Sequence, residues 1–138
     1  MSTFLMSLLI LLLIIRRVRG ENVFSSFGYS SPIEFLFGVG RSRDTGDRLR
    51  SRGYSRILIV TDPGIVESGI VETVEAPLRA DGFEIERFTD VKSNPTVENV
   101  DTGAEALVES GAEAIVGLGG GSPIDTAKII SAVAANGC

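Results

Sequence analysis

Residues 56–60 read Arg-Ile-Leu-Ile-Val, and this run limits the possible folds more than any other stretch of the chain. Successive side chains of a strand point to opposite faces, so consecutive aliphatic residues need apolar cover on both sides of a sheet. Two-sided cover is the property of parallel sheets, whose crossover connections lay helices on both faces. The neighbouring segments keep that rhythm. A short strand is expected around Glu34–Phe37, leading through Gly38-Val39-Gly40 into a polar, arginine-bearing helix near 41–52. Val66, Ile70, Val74 and Leu78 recur at helical spacing and predict a helix over about 67–80, kinked or split at Pro77. Residues 82–88, GFEIERF, alternate as a strand should. Val97, Val100, Ala104, Leu107 and Val108 share one face of a helix ended by Gly111, and AEAIVGL at 112–118 is a third buried strand. Strand, helix, strand, helix, strand, loop, helix is the order of a right-handed parallel α/β sheet.

A chain of 138 residues, 43% hydrophobic and 22% charged, can bury one real core. Its 13 basic and 18 acidic residues leave a net charge of −5, which argues against a nucleic-acid partner. Arg41, Arg43, Arg48, Arg50, Arg52 and Arg56 do cluster, but Asp44 and Asp47 interrupt them, and the cluster reads as the solvated face of a helix. Cys138 is the single cysteine, so no internal disulfide can form, and a reducing, cytoplasmic location is expected. The chain has no histidine.

Phe4–Ile15, FLMSLLILLLII, is a solid apolar run followed by Arg16, Arg17 and Arg19. As a helix it would reach about 18 Å, short of the roughly 30 Å hydrocarbon core of a bilayer. A secretory signal carries its positive charge before the apolar run, whereas here the arginines follow it. Residues 1–31 are therefore expected to be an apolar N-terminal helix and a linker (20–31) outside a folded domain at 32–138. Weak membrane association through residues 4–15 is the alternative.

Three connections are expected to meet at one edge of the sheet: IVTDPG after the first buried strand, VKSNPT after the second and GLGGGS after the third. Ligands of open α/β sheets bind beyond the carboxyl ends of the strands, which is where these loops fall. Asp62 could accept hydrogen bonds from an adenosine ribose, or Asp62-Pro63-Gly64 could be a plain turn. Asn94-Pro95-Thr96 is a turn by default, with Thr96 able to cap the next helix. Within GGGSPIDTAK, Ser122 suits the N-cap, Pro123 the first helical position, and Asp125 the third, where it can close a capping box. Helix initiation leaves Gly119, Gly120 and Gly121 unexplained. Glycines before a helix let a phosphate approach unpaired N–H donors and the positive end of the helix dipole. The loop matches neither G-x-G-x-x-G, since Ser122 stands at the third glycine, nor the P-loop pattern, which lacks its lysine here.

Taken together, Val60-Thr61-Asp62, Asn94-Pro95-Thr96 and Gly119 to Lys128 resemble, in order and spacing, the N-terminal nucleotide-binding domain of the iron-containing alcohol dehydrogenases. FLFGVG at 35–40 is similar to that family's opening β-hairpin. The resemblance implies an α/β fold: a parallel Rossmann-like three-layer domain with an N-terminal β-hairpin strand, incomplete relative to the family. It also implies an NAD site with Gly119, Gly120, Gly121 and Ser122 at the pyrophosphate, Asn94 nearby and Asp62 on the ribose. Asp125 is a further candidate facing the cofactor, and Lys128 a weaker one. A carboxylate at Asp62 would repel a 2′-phosphate and so favours NAD over NADP.

The family's second, helical domain binds a divalent metal, usually iron, through one aspartate and three histidines, and this sequence cannot supply those histidines. The expectation is thus a fragment or half of a split enzyme, inactive alone, binding no metal and exposing a sheet edge. It could pair with a separate C-terminal domain or with itself. The complete enzyme would move hydride between NAD and a primary or small alcohol or its aldehyde. A glycerol or hydroxyacid dehydrogenase, and a non-catalytic nucleotide-binding module, are the alternatives.

Overall fold

A computed structural model of the chain describes Glu34 and residues 36–136. The expected apolar helix at 4–15 and the linker lie outside the described residues. A 3-10 turn at Arg41–Asp44 runs into α1 (Thr45–Ser51). There follow β1 (Arg56–Val60), α2 (Pro63–Glu67), α3 (Ile70–Ala80), β2 (Glu84–Phe88), α4 (Val97–Ser110), β3 (Ala114–Gly117) and α5 (Gly121–Asn136). The sheet has the order β2-β1-β3 and both pairings are parallel, with Ile57 of β1 opposite Ile85 and Ala114.

The central strand explains its own aliphatic run. Leu58 and Val60 face one side, where Phe88, Val91, Val100, Ala104, Ala127 and Ile130 bring in α4 and α5. Ile57 and Ile59 face the other, against Val74 and Leu78 of α3 together with Phe83 and Ile85. All four aliphatic residues of β1 are at most 1% exposed, so the two-sided cover inferred from the sequence is complete. Fully burying such side chains is worth about 1.5–3 kcal/mol each. The molecule is a three-layer α/β domain. α4 and α5 approach closely at Gly103, where an added Cβ would lie 2.3 Å from the Ile130 side chain.

Four expectations change. No strand forms at Glu34, Leu36 or Phe37, and Phe37 is fully exposed. A strand needs a partner ladder, and the ladders of the three-stranded sheet do not take in Glu34, Leu36 or Phe37. The helix expected over 67–80 breaks at Ser68-Gly69 instead of at Pro77: Gly69 takes φ 75, a left-handed conformation that ends α2 and opens α3. Pro77 is exposed inside α3, so the carbonyl it deprives of a partner can turn to water. The break leaves Ile70 44% exposed, and Val71 takes the buried position. In α4, Val97 and Val108 are exposed as well. At 100° per residue they fall about 60° and 80° from Val100, on the rim of a buried arc centred on Val100, Gly103 and Ala104.

Two carboxylates tie segments together away from the carboxyl ends of the strands. Glu75 of α3, 3% exposed, accepts from Arg87 Nε of β2 at 2.6 Å and also pairs with Arg79. Those bonds raise the Arg87 pKa further above its ordinary value, Glu75 being the largest cause. At the amino ends of the strands, Glu113 Oε2 accepts from Ser55 N at 2.7 Å, Ser55 Oγ at 3.1 Å and Arg56 N at 3.2 Å. These bonds, led by the Ser55 amide, hold the Glu113 carboxyl below the usual carboxylate range. The arginine-rich segment is a solvated face, with Arg41 paired to Asp44 at 2.8 Å and Arg50 to Asp47 at 3.4 Å.

Candidate functional site

The connection leaving β1 enters α2 and α3, which cover one face of the sheet, while the connection leaving β3 enters α5 on the other face. Adjacent strands whose exits diverge in this way open a crevice between their carboxyl ends, the usual ligand position in open α/β sheets. Asp62 and the glycine run flank that crevice. The helix that Asp62 caps packs against the run: a Cβ on Gly119 would lie 3.3 Å from Ile65 of α2 and 2.9 Å from Pro123 of α5.

The glycines divide into two kinds. Gly117 and Gly119 are needed by the fold. A Cβ on Gly117 would press on Ala127, Ile124 and Pro123 at 3.1–3.4 Å, and Gly119 adopts φ 140, where other residues are strained. Gly120 and Gly121 are different. A Cβ on either would meet nothing within 4 Å, so packing gives no reason for glycine there. The first intrahelical bond of α5 runs from Ile124 N to Gly120 O, 3.3 Å, which makes Gly120 the N-cap. The N–H groups of Gly121 and Ser122 lie in the first turn, where an α-helix offers no intrahelical acceptor.

Ser122 therefore sits inside the helix, two residues past the N-cap position it was expected to fill. Its hydroxyl donates to the Ser93 carbonyl at 3.0 Å, across 29 residues of sequence. Asp125 does not close a capping box; it is exposed and pairs with Lys128 Nζ at 3.0 Å. Asp62 is the N-cap of α2, its Oδ1 accepting from Ile65 N at 3.0 Å. The turn reading of Asp62-Pro63-Gly64 is thus realised as a helix start, with Oδ2 left over. Asn94 is exposed and follows Ser93 directly, which brings its loop against the start of α5. Asn99, 4% exposed, secures that loop by donating to Asp90 O at 2.8 Å, and Thr96 caps α4 as expected.

Thr61 was not singled out by its residue type. Fully buried at the tip of β1, it reaches all three connections: its N–H donates to Phe88 O at 2.9 Å, its carbonyl accepts from Val91 N at 3.4 Å, and its Oγ1 donates to Leu118 O at 2.8 Å. The available signal was a hydroxyl residue directly after a strand buried on both faces, where a donor must find a partner.

Among the described residues, no group of three or more His, Cys, Asp or Glu side chains could hold a metal ion. No helix among them is long and apolar enough to cross a membrane.

Comparison with known proteins gives this geometry a lineage. Residues 32–138 match the family model for iron-containing alcohol dehydrogenases. Alcohol dehydrogenase 4 of Saccharomyces cerevisiae is 38% identical over 109 residues, which are 79% of this chain and 28% of that protein. The NADH-dependent butanol dehydrogenase A of Thermotoga maritima superposes with a TM-score of 0.72 at 30% identity, covering 78% of this chain and 27% of that one. Sulfoacetaldehyde reductase of Bifidobacterium kashiwanohense, solved in complex with NAD+, superposes with a TM-score of 0.68 at 30% identity, covering 75% and 27%. The chain thus spans a little over a quarter of the length of the relatives it matches. With its parallel sheet, diverging exits and glycine loop, the chain belongs to the iron-containing alcohol dehydrogenase family.

Proposed function

We propose that residues 32–138 are the cofactor-binding part of an NAD-dependent alcohol dehydrogenase of the iron-containing type, which interconverts a small primary alcohol and its aldehyde. The observation that carries this reading is the open space at Gly120 and Gly121, in front of the first turn of a 16-residue helix. A pyrophosphate can approach the backbone there, where the Gly121 and Ser122 N–H groups and the helix dipole favour negative charge. Asn94 is exposed next to Ser93, whose carbonyl Ser122 of α5 holds, and this supports a place near the cofactor. Asp62 retains Oδ2 and a second lone pair on Oδ1 for ribose hydroxyls while it caps α2. A bound nicotinamide supplies hydride transfer; this chain's residues bind and orient the dinucleotide.

The metal is a separate matter. Without histidine in the sequence, and with no ligand cluster among the described residues, the side chains present do not fit the iron that the family name implies. Asp125, already paired with Lys128, has a weaker claim on the cofactor than the glycines do. The single cysteine supports a cytoplasmic location.

Titration calorimetry of the chain with NAD and NADP tests the reading. NAD should bind more tightly, because the Asp62 carboxylate opposes a 2′-phosphate. Asp62→Asn keeps an N-cap acceptor and removes the charge, so it should narrow the preference by about 1–2 kcal/mol in this partly exposed site. Equal or tighter binding of NADP by the unmodified chain would remove Asp62 from the ribose.

A further inference from the structure

The hydroxyl of Thr61 donates to the carbonyl of Leu118 at 2.8 Å and so ties the tip of β1 to the start of the glycine run. Its position matters because a peptide unit is planar: fixing the Leu118 oxygen also fixes the opposite direction of the Gly119 N–H. Gly119 is where such a plane is easiest to lose. Its φ of 140 is accessible to glycine along with many other values, so nothing intrinsic to the residue keeps the loop in this conformation. On the amide side, the plane before it is held by Leu118 N donating to Val60 O at 2.9 Å. On the carbonyl side the donor is Thr61 Oγ1.

We infer that Thr61 is a positioning residue for the dinucleotide: its hydroxyl latches the peptide between Leu118 and Gly119 and so aims the open backbone of Gly120 and Gly121. The inference rests on the cofactor reading proposed above and extends it to a residue that does not touch the ligand. Thr61 suits the task because its own backbone is committed on both sides, to Phe88 O and to Val91 N. The side chain is also β-branched and fully buried, which restricts its χ1 and keeps the donor on the Leu118 carbonyl. A purely structural hydroxyl would be indifferent to which carbonyl it met.

The experiment compares the full chain with Thr61→Val and Thr61→Ser by three readouts: calorimetric NAD affinity, amide hydrogen exchange over 118–122, and thermal unfolding. Valine keeps the shape and removes the donor; serine keeps the donor and removes a methyl. Thr61→Val should bind NAD about five- to tenfold more weakly, the worth of one hydrogen bond, with faster exchange at Gly119–Ser122. Thr61→Ser should stay within about twofold of the unmodified affinity even where its melting temperature falls. Wild-type affinity in Thr61→Val overturns the latch. So does a loss in Thr61→Ser as large as in Thr61→Val, since the methyl would then be responsible. Should Thr61→Val fail to fold, Thr61→Ala against Thr61→Ser isolates the same oxygen. An unmodified chain that binds no NAD contradicts the cofactor reading, while the exchange data still judge the latch: unchanged exchange in Thr61→Val overturns it.

Discussion

At the amino ends of the strands a carboxylate does the tying, with Glu113 gathering three donors from Ser55 and Arg56. At the carboxyl ends the ties between connections are neutral hydroxyls, and they donate: Thr61 to the Leu118 carbonyl, Ser122 to the Ser93 carbonyl. The two solutions hold neighbouring segments equally well but leave opposite surpluses. A carboxylate consumes N–H donors and adds negative charge. Hydroxyls that donate consume carbonyl oxygens, the groups that would repel a phosphate, and spare the N–H donors at the start of α5. Polarity of the ties is what separates the supporting edge of this sheet from the edge proposed to take the cofactor.

The largest expected effect comes from disturbing the neutral edge at its most constrained point. Gly119→Ala puts a Cβ 2.9 Å from Pro123 and forces a left-handed φ on alanine. It should destabilise the chain by about 1–3 kcal/mol in thermal or urea unfolding and abolish NAD binding with it. A neutral result would mean that the loop conformation is not fixed as described.

A smaller effect belongs to the charged edge. The Glu113 carboxyl titrates below its unfolded value, so its contribution is present above the ordinary glutamate pKa, about 4.3, and is lost as pH falls through the lowered folded value. Glu113→Gln should therefore lower the melting temperature at pH 7, and the gap should close as the pH is taken below about 4. NAD affinity should not move, since the proposed site lies at the other end of the strands. A gap independent of pH would show that the bonds, not the charge, matter there.

The layer order was legible in the sequence because burial has a period, and in β1 the absence of a period was itself the signal. The positions of Asp62, Asn94 and the glycines at one edge followed from topology. What was not legible depended on partners distant in the chain. Ser122 reads as an N-cap by residue type, but its hydroxyl finds Ser93, and the helix begins at Gly121, two residues earlier than such a cap would start it. Pro77 drew attention as a helix breaker, yet the break lies at Gly69, whose left-handed conformation separates α2 from α3. Nothing local distinguishes Thr61, Glu75 or Glu113 from an ordinary hydroxyl or acid; their importance lies in the backbone or arginine that the fold brings to them.

The smallest expected change in stability accompanies the most direct test. Gly121→Ala adds a methyl where nothing lies within 4 Å, at the first position of a helix, so unfolding should be unchanged or the fold gain about 0.4–1 kcal/mol. That methyl would occupy the space left for the pyrophosphate. Calorimetric titration of NAD into the unmodified chain and into Gly121→Ala should give binding in the first and at least about tenfold weaker binding, roughly 1.4 kcal/mol, in the second. Equal affinity in the two would contradict the claim that the open glycines at the start of α5 receive the cofactor.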